Sequence, residues 1–85
     1  PVPDLNEERR VEIKKVIKSI GEKCKVSIRN IRREANDDLK NLVKDKEISE
    51  DEEKKSEKIV QTFTDEHIKI IDHKVEVKEK EIMTI

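Results

Sequence analysis

Apolar residues recur at steps of three and four along the first half of the chain. These residues, called the seam below, are Ile13, Ile17, Ile20, Cys24, Ile28, Ile31, Ala35, Leu39 and Leu42. The steps average close to the helical repeat of 3.6 residues, which places the side chains on one face of an α-helix. The seam therefore predicts one uninterrupted helix with a buried apolar face, from about residue 6 to about residue 45 and ~60 Å long. Asp4 and Asn6 are both suitable N-caps for it, and the sequence does not distinguish them.

A second helix is predicted after a short polar connector. Ser49 and Glu52 have the S-x-x-E spacing of a capping box. The acidic run Glu50–Glu53 supplies the charge that the N-terminus of a helix favours. This start predicts a helix from about residue 50 to about residue 82, after a turn at about residues 46–49. The connector Lys44–Ile48, KDKEI, is so short that the two helices are expected to lie antiparallel.

Apolar side chains cover about half the circumference of the second helix. They are Ile59, Val60, Phe63, Ile68, Ile70, Ile71, Val75, Val77 and Ile82. A single antiparallel neighbour needs a narrower stripe, and half a cylinder is typical of a helix that contacts two neighbours. Because the sequence supplies only one neighbour, this arc is expected to pack against another chain or a second copy of this one.

The composition favours long helices and excludes a large core. Charged residues make up 48% of the chain, and Phe63 is the only aromatic residue. So high a charge is also typical of disorder, but the regular apolar spacing favours helices. Cys24 is the only cysteine, which excludes an internal disulfide, and its place on the seam predicts a buried structural thiol. No apolar run approaches the ~18 residues of a membrane span, so a soluble, reducing compartment is expected.

Basic residues gather on one strip of the first helix, beside the seam. The basic strip consists of Lys14, Lys18, Lys25, Arg29, Arg32, Arg33, Asn36 and Lys40. Residues 1–44 carry 12 Lys and Arg against 8 Asp and Glu, a net charge of +4, whereas residues 45–85 carry 8 against 13, a net charge of −5. Guanidinium groups suit phosphate because the planar fork can donate two hydrogen bonds to one anion. The alternative interpretation is a solvated face with intrahelical ion pairs.

The candidate chemistry is binding rather than catalysis. His67 and His73 lie about 240° apart around a helix and cannot share a metal ion within one chain, so both are interpreted as surface or boundary residues. No Ser–His–acid arrangement or glycine-rich phosphate loop is present in the sequence, and neither enzymatic activity nor a cofactor is expected. With one aromatic residue, base stacking is excluded as the main mode, which favours the backbone or groove of a folded RNA. The alternative is a helical coiled-coil adaptor that binds a protein partner through its apolar seam.

Four segments of the sequence resemble the ribosome recycling factors. They are EERR at Glu7–Arg10, VSIRNIRREANDDLK at Val26–Lys40, KDKEISEDE at Lys44–Glu52 and KEKEIM at Lys78–Met83. The resemblance is to the C-terminal part of the family and covers nearly the whole chain. It implies that the two helices are the second and third of a three-helix bundle, without the family's first helix and inserted α/β domain. The predicted fold is all-α, a long antiparallel two-helix hairpin from such a bundle.

The resemblance also implies a function. Members of this family bind ribosomal RNA of the large subunit after translation termination and split the ribosome together with elongation factor G. This implies a non-enzymatic factor of the bacterial cytoplasm, with an organellar source also open and no membrane partner. The RNA-contacting arginines of the family match Arg29, Arg32 and Arg33, of which Arg32 is the leading candidate. The other residues predicted to bind RNA are Lys18, Lys25, Asn36 and Lys40. The apolar face left by the absent helix predicts self-association of this chain.

Overall fold

A computed structural model of the protein describes residues 6–84 as two long α-helices joined by a tight turn. Helix α1 spans Glu7–Lys44 and helix α2 spans Glu50–Met83. They lie antiparallel in a hairpin 65 Å long and 17 by 15 Å across. The predicted all-α hairpin is confirmed, and the observed ends of both helices lie within one residue of the predicted ones.

Both helices begin at a side-chain cap. Asn6 caps α1, since its Oδ1 accepts a hydrogen bond from the backbone N–H of Arg9 at 2.7 Å. The other candidate, Asp4, lies outside the described residues. Ser49 caps α2 as predicted: its Oγ accepts from the backbone N–H of Glu52 at 3.1 Å, and its hydroxyl donates to Glu52 Oε1 at 3.3 Å. The bonds from the backbone N–H groups of Arg9 and Glu52 satisfy amides that have no partner within the helix.

Helix α1 ends in a left-handed turn that reverses the chain without a glycine. Lys46 has a φ of 61°. Its N–H donates to the carbonyl of Val43 at 3.0 Å, and the N–H of Glu47 donates to the carbonyl of Leu42 at 2.9 Å. This pairing is the Schellman motif, whose left-handed position is usually glycine. The length of the connector predicted the reversal, but no glycine marked its position in the sequence.

The two helices approach each other closely at Gly21. This residue is buried, and a Cβ atom built on it would lie 2.7 Å from Cγ2 of Val75 on α2. Toward the open end of the hairpin, Arg10 Nη1 donates to the carbonyl of Met83 at 3.5 Å. A glycine inside a helix costs about 1 kcal/mol relative to alanine. At this position it permits a contact between the helices that a side chain would obstruct.

Gly21→Leu is expected to lower the free energy of unfolding by about 1–3 kcal/mol, the usual cost of overpacking. Leucine is a much better helix former than glycine, so the loss would come from the collision with Val75 rather than from α1 itself. Urea unfolding followed by far-UV circular dichroism measures the difference. Ser19→Leu, two residues away at an exposed position, is the matched control and should leave the stability unchanged or raised. Equal stability of the two variants would show that the helices have room at Gly21.

No hydrophobic side chain among residues 6–84 is buried. Within this range only Gly21 and Thr64 are buried, and the Thr64 hydroxyl donates to the carbonyl of Val60 at 2.7 Å. Two helices cover each other along one line, so the apolar side chains beside that line are shielded on one side only. The described residues therefore form no closed core, as the half-cylinder arc of α2 predicted. Neither α1 nor α2 is long and apolar enough to cross a membrane.

The seam is covered along one edge only, which corrects the expectation of a buried apolar face. Helix α2 packs beside Gly21 and leaves the centre of the seam open, so that Ile20 is exposed and Ile31 is 65% exposed. Cys24 is exposed as well, and the prediction of a buried structural thiol is wrong. Periodicity shows where a side chain lies around its own helix, but not the direction from which a neighbouring helix approaches.

Candidate nucleic-acid interface

The basic strip is held at fixed spacing because α1 is one continuous helix of 38 residues. The predicted RNA-binding residues divide into the exposed Lys18, Arg33 and Lys40 and the half-buried Lys25, Arg29, Arg32 and Asn36. With a rise of 1.5 Å per residue, the set extends over about 33 Å of the helix. Because the backbone that carries these charges is already helical, binding of a partner does not have to order it.

Most cations of this set have no anionic partner within residues 6–84. The charged groups of Lys18, Arg29, Arg32 and Lys40 make no ion pair or hydrogen bond with another residue of that range. Arg33 donates from Nη1 to the neutral Oδ1 of Asn30 at 3.0 Å. Intrahelical ion pairs therefore do not neutralise Arg29 and Arg32, and both guanidinium groups remain available to an external anion.

Arg32 lies at the border between the basic strip and the contact with α2. Its half-buried side chain lines a groove together with Ala35 and, from α2, Val60 and Thr64. Apolar surroundings hold the stem of such an arginine while its charged end reaches for water or an anion. Because the stem is already confined, an anion that binds Arg32 would cost less side-chain entropy than one that binds a free lysine.

Asn36 follows Arg32 by one helical turn and is also half-buried. Its Oδ1 is buried and has no hydrogen-bond partner among the described residues. The amide nitrogen is then the atom of this side chain that can donate to a ligand. The structure thus places one neutral donor beside the arginines of the strip.

Lys25 differs from the rest of the basic strip because two carboxylates hold its ammonium group. The Nζ lies 2.7 Å from Asp72 Oδ1 on α2 and 2.9 Å from Glu22 Oε1 on α1, and the side chain is only 15% exposed. The hydrogen bonds to Asp72 and then to Glu22 raise the pKa of Lys25 above its ordinary 10.5. The ion pair is therefore intact at neutral pH. It is lost only when the pH rises through the raised pKa of Lys25.

An open apolar face, formed by both helices, lies on the seam side of α1. The open face consists of Ile20, Cys24, Ile31, Ile59 and Phe63, all of them exposed. Ile59 and Phe63 are 68% and 62% exposed. Sequence analysis had assigned these residues to two separate helices, and the structure brings them together along the hairpin. Ile59 and Phe63 are exposed because α1 covers only part of the apolar arc of α2, as expected for a helix that packs against two neighbours.

The two histidines lie where the sequence placed them. His67 is half-buried and its ring stacks on Phe63 with a centroid distance of 4.3 Å, while its Nδ1 donates to the carbonyl of Phe63 at 2.8 Å. His73 is exposed. Their interpretation as boundary and surface residues is confirmed.

Comparison with known proteins decides the family. A family model described as ribosome recycling factor matches residues 1–83. The chain belongs to the ribosome recycling factor family. It is 59% identical over 85 residues to the ribosome-recycling factors of Burkholderia cenocepacia (strain HI2424) and Burkholderia orbicola (strain AU 1054), and 56% identical to that of Burkholderia mallei (strain SAVP1). These alignments cover 100% of the chain and 46% of each relative, so this recycling-factor chain spans about half the length of the curated relatives it matches.

Asp72 is the residue of this surface that sequence analysis missed. The pattern of cations on α1 does not by itself identify the acidic residues of α2 that lie opposite them. A signal was present, because a short connector pairs residues at equal distances from the turn. In an antiparallel hairpin, residues that face each other have residue numbers with a nearly constant sum. The sum is 96 for Gly21 with Val75 and 97 for Lys25 with Asp72, so the register places Asp72 beside Lys25.

Proposed function

We propose that the chain binds ribosomal RNA of the large subunit after translation termination, through phosphate contacts made by α1. Arg32 has the leading role, Arg29 and Arg33 flank it, and Asn36 and Lys40 extend the contacts toward the turn. Lys18 and Lys25 complete the set that the sequence predicts, but Lys25 is already paired with Glu22 and Asp72. The observation that carries the proposal is that the guanidinium groups of Arg29 and Arg32 have no anionic partner among residues 6–84. Membership of the ribosome recycling factor family supports ribosomal RNA as the anion that these groups bind.

Recognition in this proposal depends on charge and shape. Phosphate contacts bind nucleic acid independently of sequence, and their number sets the salt dependence of binding. Phe63 is the only Phe, Tyr or Trp of the chain, and it lies on α2 stacked against His67, so base stacking contributes little. The partner that fits is a folded RNA whose phosphates follow a helix.

In a longer factor that carries this helix pair, RNA binding by α1 would hold the factor on the large subunit while elongation factor G separates the subunits. The part played by these residues is binding, and no catalytic step is assigned to them. This part of the proposal rests on the family resemblance, since the chain spans 46% of the relatives' length.

Binding to bacterial large-subunit ribosomal RNA is expected to weaken steeply with salt. If Arg29, Arg32, Arg33 and Lys40 each neutralise one phosphate, the logarithm of the association constant should fall with the logarithm of salt concentration with a slope of about −2.8 to −3.6. Filter binding over a series of salt concentrations measures the slope. Lys69→Ala, which removes an exposed lysine of α2, is the control and should leave it unchanged. Binding that does not depend on salt would contradict the proposal.

A second candidate function, association with protein, is favoured by the open face. The occupant we propose for this chain by itself is a second copy. The open face joins exposed apolar side chains of both helices, and contiguous exposed apolar surface of this kind marks sites of protein association. The helix charges are complementary, because α1 carries 12 basic and 7 acidic residues and α2 carries 7 basic and 11 acidic residues. Two hairpins stacked with their turns at the same end would place each α1 against the partner's α2.

A further inference from the structure

An acidic break divides the cations of the basic strip into two groups. Glu22 lies on the strip itself, and Asp72 reaches it from α2, so that both carboxylates contact the ammonium of Lys25. The carboxylate side chains remain exposed, to 65% for Glu22 and 56% for Asp72. Two negative charges around one positive charge leave this point of the strip with a net charge of −1. Lys18 lies on one side of the break, and the segment from Arg29 to Lys40 lies on the other, toward the turn.

We propose that Asp72 confines the RNA-binding surface of α1 to the segment from Arg29 to Lys40, because it holds Lys25 in an ion pair between the helices. Asp72 is a positioning residue that competes with RNA phosphate for the Lys25 ammonium. The inference rests on the proposed RNA binding and narrows it to about 17 Å of the helix, against about 33 Å for the whole predicted set.

The surrounding charge keeps phosphate away from Lys25. Exposed ion pairs are weak in water, so the pair with Asp72 would not by itself exclude a phosphate. However, the carboxylate oxygens lie 2.7 and 2.9 Å from the same ammonium nitrogen. A phosphate that displaced one of them would lie close to both carboxylates, the displaced one and the one still paired with Lys25, and like charges at that distance repel. The cations between Arg29 and Lys40 have no such neighbours among residues 6–84.

The test is Asp72→Asn, which removes the competing charge and keeps the shape of the side chain. With Lys25 released, the affinity for bacterial large-subunit RNA is expected to rise about 3- to 10-fold, and the salt slope to steepen by about 0.7–0.9, the value for one additional phosphate. Asp65→Asn is the matched control. It removes one negative charge two turns away on α2, where the carboxylate accepts a hydrogen bond from Gln61 and holds no cation of the described residues. Its salt slope should equal that of the parent.

Lys25→Ala, alone and combined with Asp72→Asn, tests whether Lys25 contacts RNA. It is expected to leave the salt slope of the parent unchanged and to abolish the extra slope gained by Asp72→Asn. A parent slope that becomes shallower with Lys25→Ala would show that Lys25 already contacts RNA and would overturn the inference. If Asp72→Asn keeps its helix content by circular dichroism but binds RNA no more tightly than the parent, the inference about Asp72 is overturned as well. Salt-dependent RNA binding by the parent would in that case still support the proposed function. A parent that does not bind RNA would overturn both.

Discussion

Arg32→Ala is expected to weaken binding to large-subunit RNA about 10- to 150-fold and to leave the helix content unchanged. The loss corresponds to about 1.5–3 kcal/mol for charge-assisted hydrogen bonds from the guanidinium to phosphate. Alanine is a better helix former than arginine, so a lower affinity would not come from an unfolded α1. Fluorescence anisotropy at fixed salt measures the affinity, and far-UV circular dichroism measures the helix content.

Two further variants separate the charge of Arg32 from its packing. The side chain is half-buried in the groove between the helices, so truncation to alanine also removes contacts of the stem. Arg32→Met keeps much of the stem and should lose as much affinity as Arg32→Ala. Arg32→Lys keeps the charge without the planar fork and should recover only part of the binding. If the alanine and lysine variants both bind as tightly as the parent, Arg32 belongs to a solvated face and the proposed contact does not exist.

The chain is also expected to dimerise through the open face. Burial of a large aliphatic or aromatic side chain contributes about 1.5–3 kcal/mol, and Ile31, Ile59 and Phe63 are each more than 60% exposed in the single hairpin. Sedimentation equilibrium measures the dimer, and the melting temperature should rise with protein concentration because association stabilises the folded state. Cys24, the only thiol, lies on the same face. Its alkylation should therefore become slower as the concentration of the chain increases.

A matched pair of substitutions on α1 tests which surface forms the dimer. Ile31→Glu places a carboxylate at the centre of the open face and should weaken dimerisation by about 3 kcal/mol or more, since an unpaired buried charge is costly. Val26→Glu introduces the same group at an exposed valine outside the open face and should have little effect. A parent that stays monomeric and fully helical at every concentration would contradict the prediction. Equal weakening by both substitutions would place the interface elsewhere.

The strong local signals of the sequence led to correct predictions. The spacing of the seam predicted the length of α1, and Ser49 with Glu52 predicted the start of α2, where the capping hydrogen bonds are found. Such features depend on residues within one or two turns of each other, so the sequence contains all of the partners. The half-cylinder arc of α2 likewise predicted an unpartnered surface, because the width of an apolar stripe reflects the number of neighbours.

The errors concern the side from which α2 approaches α1. Cys24 and Ile31 were expected to be buried with the rest of the seam, and both are exposed. The approach follows the flank at Gly21, where the missing side chain permits the contact with Val75. The sequence around Gly21 does not indicate this role, because the side chain that a Cβ would meet belongs to Val75, far along the chain.

The sequence by itself determined the two helices, the cap of α2, their antiparallel order, the basic strip and the family. Only the tertiary structure decided which charges of that strip remain free. Lys25 and Arg29 have equivalent places in the helical pattern, but Lys25 lies opposite Asp72 and Arg29 has no carboxylate partner among the described residues. Periodicity within one helix fixes the angle of each side chain, whereas the state of a charge depends on what the other helix places within a few ångströms of it. That distance is set by the packing at Gly21 and by the turn at Lys46.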